Sequence, residues 1–214
     1  MRTKTTATRT RVIGQALSRL IARYPASWPL LSGSVRRFFD TRADRWDERT
    51  GAGTVEHLAP LAAAVGHLEA SPERILDLGC GTGEAALFLA REYPRASIRG
   101  IDISPEMIEC ARQKIGLDPE ARIAFKVGDA ADLPFPDQSF DLICQVNVPL
   151  FYRELDRVLR PGGSLIIVST SGTSTPFHTP VSVSIEKLES VGMSLVTQGE
   201  VGSGVFLLFG ARNV

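Results

Sequence analysis

The chain has 214 residues, 43% hydrophobic and 22% charged, which suits one soluble globular domain with a full core plus an extension. No apolar run reaches the roughly 18 residues needed to span a bilayer. Three scattered cysteines without C-x-x-C spacing, and three histidines without H-x-x-x-H, argue against disulfides and metal sites and for a reducing, cytoplasmic compartment.

The net charge is zero but unevenly spread. Residues 1–45 hold ten Lys/Arg and two acids, a net +8 balanced by −8 in the remainder. A basic arm on a mildly acidic body is expected. Residues 1–10 are Thr/Arg-rich and read as disordered. Residues 11–24 read as an amphipathic helix, with Val12, Ile13, Ala16, Leu17, Leu20, Ile21 and Tyr24 on one half of the wheel. Three readings stay open for it: packing on the domain or over its ligand site, touching anionic lipid as a peripheral membrane contact, or serving as a targeting peptide. Pro25 and Pro29 are expected to end the helix and start a linker. The expected division is a basic extension (1–33), a helical cap (34–72, with a helix near 54–69) and a core domain (73–214).

The core opens on Ile75-Leu76-Asp77-Leu78-Gly79-Cys80-Gly81-Thr82-Gly83-Glu84, an apolar strand, three alternating glycines and the start of a helix. Strand, glycine turn and helix make a nucleotide-binding βα unit. The glycines permit a sharp turn and let a ligand approach backbone N–H groups. Gly81 to Ala86 also fits the dinucleotide pattern G-x-G-x-x-G/A. Asp77 before the glycines suits a ligand carrying positive charge instead. A second strand, 97–102, ends in Asp102, 19 residues beyond Gly83, which reads as a ribose-diol acceptor in either class. Ser104 caps the next helix, with Pro105 at its first position.

These segments resemble motifs of the class I S-adenosylmethionine-dependent methyltransferases. Asp77 to Gly83 matches D/E-x-G-x-G-x-G, and Gly100 to Met107 is similar to the second motif. Gly128-Asp129-Ala130-Ala131-Asp132-Leu133-Pro134-Phe135 resembles the G-D-A-x-x-L-P-F that ends the family's third strand. Ser139-Phe140-Asp141 and Arg157-Val158-Leu159-Arg160-Pro161-Gly162-Gly163 match its fourth strand and the turn into its fifth. Phe39, Ala43, Trp46 and Asp47 match a segment whose aromatics lie over the cofactor.

The resemblance implies an α/β, Rossmann-like, doubly wound seven-stranded sheet. It is mostly parallel, closed by an antiparallel C-terminal strand, with helices on both faces. It implies S-adenosylmethionine as cofactor, held by Asp77, Gly79, Cys80, Gly81, Gly83, Asp102, Ile103, Met107, Gly128, Asp129, Ala130, Gln145 and Trp46. Asp129 would accept from the adenine amino group. Asn147, Phe151 and Tyr152 would meet the acceptor, a small molecule or lipid. The loop after Asn147 is shorter than is common in the family, which puts the usual acceptor wall in question. No residue is assigned a catalytic role. His178, near the tip of the fifth strand, is the candidate general base, while His57 and His67 read as surface or packing residues. No metal and no nucleic acid are expected, and the chain would be a monomer or homodimer. The alternatives are a non-catalytic S-adenosylmethionine-binding protein and a nicotinamide-dependent oxidoreductase.

Overall fold

The structure, a computed structural model, describes residues 2–118 and 120–212, with the backbone alone for 2–9. Seven strands form one sheet: β1 (Arg74–Leu78), β2 (Ser97–Asp102), β3 (Ile123–Val127), β4 (Phe140–Val146), β5 (Leu159–Ser169), β6 (Ser194–Val201) and β7 (Gly204–Gly210). Their order is β3-β2-β1-β4-β5-β7-β6. Strands β1 to β5 pair in parallel, and β7 is antiparallel to both of its neighbours. The chain builds outward from β1 to β3, returns to β4 beside β1, and continues the other way. That reversal opens a crevice at the carboxyl ends of β1 and β4.

Alternation along each strand explains the two packed layers. Ile75, Ile98, Leu142, Cys144, Ile166 and Leu208 face one side, against Leu61 and Ala64 of α4 (Val55–Val65), Ala86 and Leu89 of α5 (Glu84–Glu92) and Ile108 and Ala111 of α6 (Pro105–Gln113). Leu76, Leu78, Ile143, Leu165, Leu207 and Phe209 face the other, against Leu155 and Val158 of α7 (Tyr152–Val158) and Leu188 of α8 (Val181–Glu189). Strands covered on both faces need consecutive apolar residues, which is why Leu142–Cys144 of β4 and Leu165–Val168 of β5 are continuous apolar runs and Asp77 is the one polar break in Ile75–Leu78 of β1. Each fully buried Leu, Ile, Val or Phe among them contributes about 1.5–3 kcal/mol by leaving water.

The turn motifs serve the sheet. Asp141 accepts from Glu73 N (3.1 Å) and Arg74 N (2.9 Å), tying the start of β4 to that of β1, and Arg160 lies 3.5 Å from it. The Arg160–Gly163 turn is a bulge inside β5, not a turn before it. Phe140 pairs with Leu159, but Leu142 already pairs with Ser164. Gly162 makes the bend at φ +73°.

Helices α1 (Arg2–Arg23), α2 (Trp28–Asp40) and α3 (Trp46–Thr50) form the N-terminal part. Here the structure differs from the sequence reading. Helical backbone begins at Arg2, in the stretch expected to be disordered. No linker follows Tyr24. Pro25–Ser27 is a short 3₁₀ turn, and α2 starts at once with Pro29 in its first turn, where a missing N–H breaks no helical bond. Helix α2 therefore runs through the expected boundary at residue 33. Ile21, Trp28 and Val35 pack with Phe151 against Phe39, Ile103 and Ala130, so these helices cover the crevice.

Candidate functional site

The crevice is a cavity of about 920 Å³ over the carboxyl ends of the strands. Its floor is the turn after β1. Gly79, Gly81 and Gly83 all have left-handed φ (+67°, +52°, +86°), a conformation that disfavours side chains. A Cβ on Gly79 would meet Val148 Cγ2 at 2.3 Å, whereas one on Gly81 would enter open space. Gly79 therefore allows close packing, and Gly81 leaves bare backbone facing the cavity.

Two carboxylates stand on this floor. Asp77, 1% exposed, has an Oδ2 with no hydrogen-bond partner. Burial, reinforced by the charge of Asp102, raises its pKa from 3.8 to about 7. Asp102 accepts from Gly81 N at 3.0 Å and Ser104 N at 2.9 Å. Burial nevertheless raises it to about 6. A buried, half-satisfied acid pair is costly unless a cation or hydroxyl donors arrive. The floor thus fits the ammonium, sulfonium and ribose of S-adenosylmethionine.

The walls are aromatic. Phe39 lies 5.4 Å from Phe177 and 5.3 Å from Trp46, centroid to centroid, and Phe38 lies 6.3 Å from Phe177. The Arg42 guanidinium sits 4.0 Å over the Phe38 ring. Asp47 fastens this cover to the floor by accepting from Thr82 Oγ1 (2.5 Å) and pairing with Lys114 Nζ (2.5 Å), which also meets Glu84 at 2.6 Å.

Of the residues expected here, Asp77, Gly79, Cys80, Gly81, Asp102, Ile103, Met107, Gly128, Ala130, Trp46, Asn147 and Phe151 line the cavity. The Asn147 amide is already engaged, donating to Thr170 Oγ1 (3.0 Å) and accepting from Thr170 N (2.9 Å), so it ties the tips of β4 and β5 together.

Five expected residues are not brought to the cavity surface. Gly83 turns into Phe125 and Ala111. Gln145 is 1% exposed within β4, its Oε1 unpartnered. Tyr152 opens α7 and packs on the core beneath it. His178 is buried with Nδ1 3.0 Å from Ser169 Oγ, and burial lowers its pKa. Its neighbour in sequence, Phe177, faces the cavity instead. Asp129 is covered by Trp28, whose Nε1 donates to both carboxylate oxygens at 2.7 and 2.8 Å.

Sequence reasoning missed Trp28, Phe38, Arg42, Phe177 and His57, all of which line the cavity. His57 was read as a surface or packing residue. Burial lowers its pKa, against a backbone hydrogen bond to Thr50 and the charges of Glu84 and Asp47 that raise it. Phe38 lies beside the matched Phe39 and was within reach of the sequence. Trp28 and Phe177 carry no local signal, because only the fold brings them to the site.

A family profile described as a methyltransferase domain matches residues 75–163. Demethylmenaquinone methyltransferase of Lactiplantibacillus plantarum is 36% identical over 160 residues, covering 69% of this chain and 67% of the relative. That of Deinococcus radiodurans is 38% identical over 144 residues, covering 63% and 59%. A SAM-dependent methyltransferase from Aquifex aeolicus superposes with a TM-score of 0.63 at 20% identity, covering 78% of this chain and 97% of that one. The chain spans 59% of the length of the first two curated relatives it matches.

Proposed function

The chain belongs to the class I S-adenosylmethionine-dependent methyltransferases, and from that premise we propose that it transfers a methyl group to an apolar, planar small molecule. The observation that carries the cofactor half of this reading is the orphaned Asp77 Oδ2 beside the open backbone of Gly81. Asp77 would face the cationic end of the cofactor. Asp102 has lone pairs left to accept from the ribose hydroxyls. Gly128 and Ala130 would border the adenine. Once bound, S-adenosylmethionine supplies a methyl already activated on sulfur. The work left to the protein is to exclude water and align the acceptor for in-line displacement.

The acceptor half rests on the wall formed by Phe38, Phe39, Trp46, Phe151 and Phe177. Flat rings stack favourably in such a wall, and the demethylmenaquinones of the relatives are acceptors of that kind. His57, on the cavity wall, would be the base for an acceptor that must lose a proton. Residues 73–214 would form the catalytic core and residues 1–72 its cover.

The test is a methyl-transfer assay with radiolabelled cofactor against a short-chain demethylmenaquinol, a simple phenol and a polar amine. Turnover of the quinol above the other two supports the reading. Turnover of the polar amine alone would refute the acceptor class. Loss of all turnover in Asp77→Ala, with the fold intact, would support the cofactor site.

A further inference from the structure

Helix α1 is apolar on two opposite faces, and only one of them is seated. The inner face carries Gly14, Ile21 and Ala22. Ile21 and Ala22 are fully buried, and a Cβ on Gly14 would meet Pro176 O at 2.5 Å. The outer face carries Val12, Ile13 and Leu20, which are 58%, 54% and 40% exposed, and Tyr24, just past the helix end, is 56% exposed. At 3.6 residues per turn Val12, Ile13 and Leu20, with the exposed Ala16 between them, fall within about a third of the helix circumference. The sequence reading put Val12, Ile13, Leu20, Tyr24 and Ile21 in one apolar half, and the structure buries Ile21 while leaving the other four exposed.

Arg19 edges the bare stripe and Arg23 lies within it, on the two sides of Val12 on the wheel, both exposed. Among the described residues neither pairs with a carboxylate within 4 Å. Arg23 Nε donates to Tyr24 Oη at 3.3 Å, and Glu186 on the neighbouring α8 is the acid that acts on it from a distance. The sequence holds no acid before Asp40. Scattered exposed apolar side chains need no explanation, but a contiguous stripe rimmed by one sign of charge does.

We propose that this face docks on the surface of an anionic lipid bilayer, with Val12, Ile13, Leu20 and Tyr24 entering the headgroup boundary and Arg19 and Arg23 meeting lipid phosphates. The charge selects this occupant. A second copy of the chain would set a helix of six Lys/Arg and no acid against its equal, whereas an anionic leaflet attracts it. Among the described residues no helix is long and apolar enough to cross a membrane, so the contact is peripheral. Arg11, on the same helix, lines the cavity. The lipid-facing helix therefore borders the acceptor site.

The test is co-sedimentation of the full chain with phosphatidylcholine vesicles, with and without phosphatidylglycerol. The full chain should sediment with the mixed vesicles roughly tenfold more than with phosphatidylcholine alone, and high salt should release it. Ile13→Glu with Leu20→Glu should abolish sedimentation. Arg19→Glu with Arg23→Glu should remove the preference for phosphatidylglycerol. All four side chains are exposed, so unchanged thermal melting and unchanged S-adenosylhomocysteine binding should show that both variants fold. Equal or absent sedimentation with both vesicles overturns the proposal. So does a dimer, seen by light scattering, that Ile13→Glu with Leu20→Glu converts to monomer. None of these readouts needs turnover, so the lipid contact and the methyl-transfer reading fail separately.

Discussion

Trp28 and Asp129 are joined across 101 residues of sequence by an indole N–H shared between both carboxylate oxygens, at 2.7 and 2.8 Å. Asp129 Oδ1 also accepts from Ala131 N at 2.9 Å. The carboxylate expected to receive an adenine amino group is thus already taken by the protein's own cover. Trp28→Phe keeps an aromatic ring facing Phe151, which the indole meets edge-on at 5.0 Å, but removes the donor. Freed from an internal competitor, Asp129 should bind S-adenosylhomocysteine several-fold more tightly in this variant. Calorimetry reads that directly. Stability should fall by about 1–3 kcal/mol in a urea melt, the cost of a lost charge-assisted hydrogen bond. Weaker binding would mean instead that the indole holds Asp129 in position for the adenine.

The floor acids make stability depend on pH. The pKa values of Asp77 and Asp102, about 7 and about 6, lie above their ordinary 3.8. The folded protein therefore holds these protons more tightly than the unfolded chain. Their contribution to stability is full below about pH 4 and is lost as the pH rises through 6 to 7. Asp77→Asn cannot lose a proton. Its melts should match the parent protein at pH 4 and exceed it at pH 8 by about 1–4 kcal/mol. Cofactor binding should release protons near pH 6.5, because a cation lowers the Asp77 pKa. Calorimetry in two buffers of different ionisation enthalpy measures that release.

The glycine turn separates stability from binding. Gly79→Ala would drive a Cβ to 2.3 Å from Val148 Cγ2 at φ +67°, so both folding stability and cofactor affinity should fall. At Gly81 the φ of +52° costs about 1–2 kcal/mol for an L-residue, but the methyl enters open cavity space. Gly81→Ala should therefore fold, with a modest loss in melting temperature, and lose cofactor affinity by a larger factor.

Asp47→Asn keeps the shape of the link between cover and floor but removes its charge. The Lys114 Nζ contact at 2.5 Å then loses its ionic partner, although Glu84 remains at 2.6 Å. The expected result is a rise in KM for the cofactor, with stability lowered by no more than about 1 kcal/mol for this part-exposed pair. Steady-state kinetics and a thermal melt check the two parts.

The sheet was legible because its determinants are local. Both-face burial writes apolar runs into β1, β4 and β5, and Asp77 to Gly83 sets the first turn by chain stereochemistry. The site was legible only where a motif carries the residue. Asp77, Asp102 and Trp46 were named and do line the cavity. Tyr152 and His178 lie near strand tips in sequence, and sequence carries no more than that about them. A helix face and a loop reversal decide where such side chains point, and neither is written locally. Trp28 could not be found because its partner, Asp129, lies 101 residues away just past the end of β3, and the prolines around Trp28 suggested a linker where the chain forms a helix.

The assignment of a cationic cofactor to the acid pair at the tips of β1 and β2 is tested most directly by calorimetric titration of the purified chain, and of Asp77→Asn and Asp102→Ala, with S-adenosylmethionine, S-adenosylhomocysteine and NAD. Both S-adenosyl ligands should bind the unaltered chain, and NAD should not. Asp102→Ala should lose both, and Asp77→Asn should weaken S-adenosylmethionine more than its uncharged-sulfur product. Binding of NAD alone, or S-adenosylmethionine binding untouched by either substitution, would contradict it.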